Sequence, residues 1–145
     1  VQFALATGLR KSEIVNLTVD MLSDDFNYLS IPSSLMKNKQ PHKIPLHDDA
    51  KEVLRRLPGQ GMYPHLFKYN GKPIKDPAGT AWKNALKKCN LKIRFHDLRH
   101  TWATRKAAEG ASALQLQKLG GWKSLRMLER YVSLQADDFK NLPGY

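Results

Sequence analysis

Between Val19 and Leu46 the texture of the chain changes, and this stretch constrains the fold more than any other. Short apolar runs (Val19 to Leu22, Tyr28 to Ile31, Lys43 to Leu46) alternate there with Asp24-Asp25, Asn27 and Asn38. Runs of that length broken by turn residues are the signature of short strands. The spacing predicts a small three-stranded antiparallel sheet whose last two strands are joined by a basic hairpin, Met36 to His42. Outside this stretch, helical periodicity and helix punctuation dominate, so the class expected is mainly α with one small sheet near its start.

The helices announce themselves by their ends. Val1 to Ala6 reads as the end of an apolar helix broken by Thr7-Gly8, and Ser12 as the N-cap of a short helix through Leu17. Asp48 and Asp49 open a helix that buries Val53, Leu54 and Leu57 and stops at Pro58-Gly59. Gln60 to Pro77 carries Gly61, Pro64, Gly71, Pro73 and Pro77 and reads as a connection with one short turn. Further helices are expected from Gly79 to Cys89 and from His96 to Glu109, the latter closed by Gly110 as a left-handed cap. Ser112 caps a shorter one to Leu119, ended by Gly120-Gly121. Ser124 caps the next, with Leu125, Leu128 and Val132 on one face, running at least through Tyr131. With no internal repeat and no break in composition, residues 1–145 are expected to form one domain around one core. Because Val1 already sits inside an apolar helical pattern, the domain is expected to be part of a longer chain.

Composition removes several classes. No apolar run approaches the roughly 18–20 residues that a membrane span needs, so no membrane partner is expected. Cys89 is the single cysteine, which excludes an internal disulfide and a cysteine-cluster metal site and suits a reduced intracellular thiol. The formal net charge is +11, a field that attracts polyanions, nucleic acid foremost. The charge is also concentrated: from Lys83 to Lys106 there are eight basic residues against Asp97 alone, seven of the eleven net positives.

Inside that basic segment lies His96-Asp97-Leu98-Arg99-His100. On a helix, residues three and four apart share a face, so His96 stands beside both Arg99 and His100. The pair of histidines has the spacing of zinc hydrolases; equally, His96 and Arg99 can aim hydrogen bonds at a phosphate, and the plainest alternative is an ordinary charged helix face. Zinc catalysis needs a third protein ligand and a carboxylate base, Asp97 is shorter than the usual Glu, and the neighbouring cations oppose a divalent metal. The field suits a phosphodiester.

Three segments then resemble, in order, the signatures of the tyrosine recombinases, the phage-integrase family. Ala6-Thr7-Gly8-Leu9-Arg10-Lys11-Ser12-Glu13-Ile14 is similar to the segment with the family's first catalytic arginine. His96-Asp97-Leu98-Arg99-His100-Thr101 is similar to the box with the second. Leu119-Gly120-Gly121-Trp122-Lys123-Ser124, followed by Glu129-Arg130-Tyr131, is similar to the third, with the nucleophilic tyrosine nine residues after a His or Trp. Together they run from residue 6 to residue 131, nearly the whole chain.

The resemblance implies a DNA breaking-rejoining catalytic fold and a chemistry: Tyr131 attacks a phosphodiester, leaving a 3′-phosphotyrosine that is later reversed. It assigns Arg10 and Arg99 to the non-bridging oxygens, which a guanidinium fork suits. It assigns His96 to a hydrogen bond or to proton traffic with the phenol. Trp122 stands where many relatives have His; its indole offers one N–H donor and packing, and cannot act as a base. The family's lysine, eight residues before the proline that ends the following strand, falls on Lys37 counted from Pro45, with Lys39 the alternative. Glu13 is expected either to orient Arg10 or to serve as a capping carboxylate. His100 is expected beside the phosphate or on plain helix surface. Lys39, Lys87, Lys88, Arg94 and Arg105 are expected to touch DNA backbone.

Exchanging a phosphodiester for a phosphotyrosine ester conserves bond energy, so neither ATP nor metal is expected, and the sequence has no P-loop and no carboxylate cluster for Mg²⁺. The resemblance further implies an integrase or recombinase of a mobile element or viral genome, acting on double-stranded DNA. It implies a homotetramer on two DNA sites in the cytoplasm of a bacterial or phage-infected cell. An N-terminal DNA-binding domain and the start of the catalytic domain are implied upstream of residue 1.

Overall fold

The computed structural model describes residues 1–57 and 62–131. The helix stop at Pro58-Gly59, Gly61 and the tail with Val132 lie outside the described residues. Helix α1 (Gln2–Thr7) is followed by α2 (Lys11–Val15), strands β1 (Tyr28–Ile31) and β2 (His42–Pro45), and α3 (Asp48–Arg55). A two-residue ribbon of β3 (Lys68–Tyr69) and β4 (Lys72–Pro73) comes next, then α4 (Thr80–Lys88), α5 (Asp97–Ala108) and α6 (Ala113–Gly120). A 3₁₀ turn, Leu125–Leu128, leads into the residues before Tyr131.

β1 and β2 pair antiparallel, with Leu29 opposite Ile44 and Ile31 opposite His42. Side chains alternate across a strand, so Leu29, Ile31, His42 and Ile44 all face inward and are buried. The expected third strand is absent. Val19–Met21 is a 3₁₀ turn, and Leu22 makes only a single bridge to Leu29. The backbone there is committed elsewhere: Val19 N–H donates to Pro64 O, Leu66 N–H to Leu17 O, and Thr18 bridges His65. The sheet is therefore two-stranded. The connection after residue 61 holds the β3–β4 ribbon, turned by Asn70-Gly71 with φ of 48° and 74°, a pair that favours tight hairpins.

Two helix starts differ from expectation. Arg10, not Ser12, precedes α2, and the carboxylate of Glu13 caps it. Ser124 stands before the last 3₁₀ turn but makes no side-chain cap. Ser112 does cap α6, accepting from Gln115 N–H while Gln115 Oε1 takes the Ser112 N–H.

Two apolar clusters meet along α5. Leu98 joins Phe3, Leu9, Leu17, Leu29, Ile44, Leu54 and Phe95 in the larger. One turn later, Trp102, Ala103 and Ala107 pack with Leu116, Trp122, Leu128 and Tyr131 in the smaller. α1 lies against both α3 and α5, and α6 against α5. The three signature segments, far apart in sequence, thus converge on the N-terminal half of one helix.

Candidate active site

Arg10 is placed by Glu13. The carboxylate, buried within the first turn of α2, takes the Arg10 backbone N–H on Oε2 and the Arg10 Nη1 on Oε1, each at 2.7 Å. Capping the helix and orienting the guanidinium, left as alternatives by the sequence, are one arrangement.

Arg99 is placed by backbone. Only 3% exposed, it donates from Nη1 to Gly8 O at 2.7 Å and from Nη2 to Gly120 O at 2.6 Å. Its guanidinium carbon sits 3.8 Å from the Trp122 ring centroid, a cation–π contact. Burial, and then the charge of Arg10, pull its pKa down to about 10, so it remains a cation at neutral pH. Trp122 is held in turn by stacking on Trp102, with centroids 6.1 Å apart. The indole therefore acts as a floor for Arg99.

His96 stands at the start of α5, its ring edge-on to His100 with centroids 5.0 Å apart. Partial burial and then neighbouring positive groups hold both histidines below their ordinary pKa, so both are neutral at pH 7. His100, not His96, is hydrogen-bonded through Nδ1 to the Tyr131 hydroxyl. Tyr131 itself is buried against Trp122, with ring centroids 6.1 Å apart. Burial pushes its phenol pKa up, while the cations Arg130 and Arg99 oppose that shift.

Arg10, Lys37, His96, Arg99 and Trp122 line a single cavity of about 270 Å³, completed by Asn38, Lys123 and Met127. The last three were not singled out from the sequence, although Asn38 and Lys123 directly follow residues that were. Lys39, with its φ of 57°, is not in that lining. Arg94, His100, Arg105 and Arg130 border a second, open cavity of about 490 Å³, where Arg94 is paired with Asp97 at 2.8 Å. Lys87 and Lys88 are exposed at the end of α4 and line neither cavity. Among the described residues no three His, Cys, Asp or Glu side chains group to hold a metal ion.

A cation-lined cleft with two placed arginines and a lysine, its Trp122 wall backed by the buried Tyr131, is suited to a phosphodiester. The family model described as "Phage integrase family" matches residues 1–137. The chain belongs to the phage integrase family. It is 36% identical to the integrase of Salmonella phage P22, over 92% of this chain and 38% of that protein. It is 30% identical to the tyrosine recombinase XerA of Saccharolobus solfataricus, over 97% of this chain and 47% of that one. This phage integrase family chain thus spans less than half the length of either relative. Among solved structures, a XerA recombinase superposes with a TM-score of 0.75 at 21% identity, covering 98% of this chain and 57% of that one. The Tn1549 transposon integrase in complex with a circular intermediate DNA gives 0.74 at 23% identity, covering 96% and 56%. These likenesses establish the tyrosine-recombinase catalytic fold. In addition, among the described residues no helix is long and apolar enough to cross a membrane.

Proposed function

We propose that this chain carries out site-specific cleavage and rejoining of double-stranded DNA through a 3′-phosphotyrosine on Tyr131. The observation that carries the reading is the convergence of Arg10, Lys37, His96, Arg99 and Trp122 on one cavity, with Tyr131 packed against Trp122. Arg10 and Arg99 neutralise the charge that builds on the non-bridging oxygens, a role in which one guanidinium can be worth roughly 10³–10⁵ in rate. Trp122 holds Arg99 and offers its indole N–H. Tyr131 gives its phenol proton to His100 Nδ1, its hydrogen-bond partner, as its oxygen bonds to the phosphorus and the P–O5′ bond breaks. Lys37 Nζ gives its proton to the departing 5′-oxygen, whose high basicity demands one. The reverse attack by a 5′-hydroxyl rejoins the strand, so the reaction needs neither ATP nor metal.

Support for the DNA substrate comes from the +11 charge and from the Tn1549 integrase, solved with DNA. Within this reading Arg94, Arg105, Lys39, Lys87 and Lys88 contact backbone phosphates. The whole protein assembles as a tetramer on two sites, with a further N-terminal domain supplying DNA affinity, and works in the cytoplasm of a bacterial or phage-infected cell.

Covalent trapping in EDTA tests the reaction. Nicked duplexes with a randomised centre, in which cleavage releases a short fragment and blocks religation, are offered to the full-length protein and to Tyr131→Phe. The expected result is a denaturation-resistant protein–DNA adduct with the wild type only. No adduct in EDTA, with DNA cutting restored by zinc, would overturn the mechanism in favour of a metal hydrolase.

A further inference from the structure

His42 is buried, faces inward at the first position of β2, and has no part in the chemistry above. An aliphatic residue would fit the inward alternation of that strand, where Leu29, Ile31 and Ile44 are its companions. Instead its Nε2 donates to Leu119 O, 77 residues away, at 2.9 Å. Burial holds the ring below its ordinary pKa, so it is neutral, with its proton on the nitrogen facing that carbonyl.

The place of this bond matters. A helix leaves its last carbonyls without partners inside the helix. At the end of α6, two successive ones are taken by side chains: Leu119 O by His42, and Gly120 O by Arg99. The next residue, Gly121, turns left-handed at φ 66°. A Cβ there would lie 3.2 Å from Met36 Cε and 3.6 Å from His42 Cε1. Met36 directly precedes Lys37, and His42 begins the return strand, so both ends of the segment bearing Lys37 rest on the same glycine turn. Lys37 itself is exposed and reaches the cavity from between these two anchors.

We propose that His42 is a positioning residue for Lys37: by bonding Leu119 O it pins the lysine-bearing segment to the turn that also seats Arg99 and Trp122. The inference rests on the reading of Lys37 as the proton donor. It assigns a task to a histidine outside the signature segments. It also explains why a polar ring occupies an inward strand position.

A sulfur substitution at the leaving group separates this role from a structural one. When the bridging 5′-oxygen of the scissile phosphate is replaced by sulfur, the departing thiolate needs no proton. Loss of a proton donor, or of its placement, then ceases to matter. A duplex selected by trapping with the wild type is made in both forms. Single-turnover cleavage is measured for the full-length wild type, Lys37→Ala, His42→Ala, His42→Phe and His42→Gln. On the oxygen duplex, Lys37→Ala is expected to lose roughly 10²-fold or more, the scale of general acid catalysis. His42→Ala and His42→Phe are expected to lose about 10-fold or more, with His42→Gln partly restored by its amide N–H donor. On the sulfur duplex all variants return to within about 3-fold of wild type, as a positioning role requires. The oxygen-to-sulfur ratio is taken within one preparation, so a lower folded fraction cancels.

If Lys37→Ala is rescued by sulfur while the His42 variants stay slow on both duplexes, His42 does not act through Lys37 and the proposal fails alone. His42 variants that match wild type on the oxygen duplex overturn it too. If sulfur does not rescue Lys37→Ala, the proton-donor reading itself is wrong, and the proposal goes with it.

Discussion

Glu13 grips Arg10 at both ends of the residue, one carboxylate oxygen on the backbone N–H and the other on the guanidinium, both at 2.7 Å. A helix cap and a guanidinium that lines the candidate site therefore share one buried anion. Glu13→Gln keeps the size and part of the cap but removes the charge that faces Arg10. Glu13→Ala removes both and leaves the α2 N-terminus uncapped. The expected order of cleavage rate is wild type, then Gln, then Ala, with Ala down by about 10–100-fold, as for other groups that orient a reacting residue. Stability in urea should fall by about 1–3 kcal/mol for Ala, the cost of buried donors left unpaired. Equal rates for all three would remove Glu13 from the placement of Arg10.

Arg99 spends its two terminal nitrogens on carbonyls of different segments, Gly8 O and Gly120 O. Lysine cannot make that fork. Arg99→Lys is expected to lower stability by about 1.5–3 kcal/mol, the range for hydrogen bonds made by a charged group. It should lower adduct formation by roughly 10³-fold or more, the scale of a lost arginine at a phosphoryl group. Urea titration and single-turnover trapping on the same preparation check both figures. A stable, fully active lysine variant would contradict the reading.

The Trp122 seat depends on the bare Cα of Gly120. A Cβ there would lie 1.7 Å from Trp122 Cζ3. Gly120→Ala must push the indole off both Arg99 and Trp102, at a cost of about 1–3 kcal/mol for overpacking. The stacked pair of indoles gives a near-ultraviolet circular dichroism signal that should shrink in the variant. An unchanged signal with unchanged melting would mean the ring is not seated as described.

Acid should destabilise the fold through its histidines. Burial, as the leading cause, lowers the folded pKa of His42, His96 and His100 below the ordinary 6.5. Between the two values the unfolded chain binds protons that the folded chain does not, so folding weakens there as pH falls. Their contribution is fully present above about pH 6.5 and is lost as pH drops through the folded values. Urea midpoints measured from pH 7.5 to pH 5 should fall, and less steeply in His42→Gln. Tyr131 acts at the other end: its raised pKa means stability is lost as pH climbs above about 10. A midpoint flat from pH 7.5 to 5 would contradict the histidine assignment.

Some helix ends were legible locally, because the signals that set them are a few residues apart, whereas the caps expected from Ser12 and Ser124 did not form. Gly110 and Ser112 act where the sequence places them. The β3–β4 ribbon was not expected within the run read as a connection with one short turn, although Asn70-Gly71 is a local hairpin signal there. The absence of the third strand was not legible. Whether Val19–Leu22 pairs with β1 depends on competition for its backbone groups: Pro64 O takes the Val19 N–H, and the N–H groups of Met21 and Leu22 turn back to Thr18 O and Val19 O. No local pattern reports that contest.

From the sequence came the nomination of residues for the proposed chemistry: Arg10, Lys37, His96, Arg99, Trp122 and Tyr131 are the positions that the resemblance of three short segments and a hairpin lysine to one family implies. Tertiary structure alone decided how they are held. Glu13 serves cap and guanidinium together, His100 rather than His96 meets the Tyr131 hydroxyl, and His42 ties the Lys37 segment to α6. Chemical capability resides in the side chain and is visible in one dimension. Placement depends on hydrogen bonds and packing between segments up to 91 residues apart, as from Arg99 to Gly8, and these exist only once the chain has closed around its core.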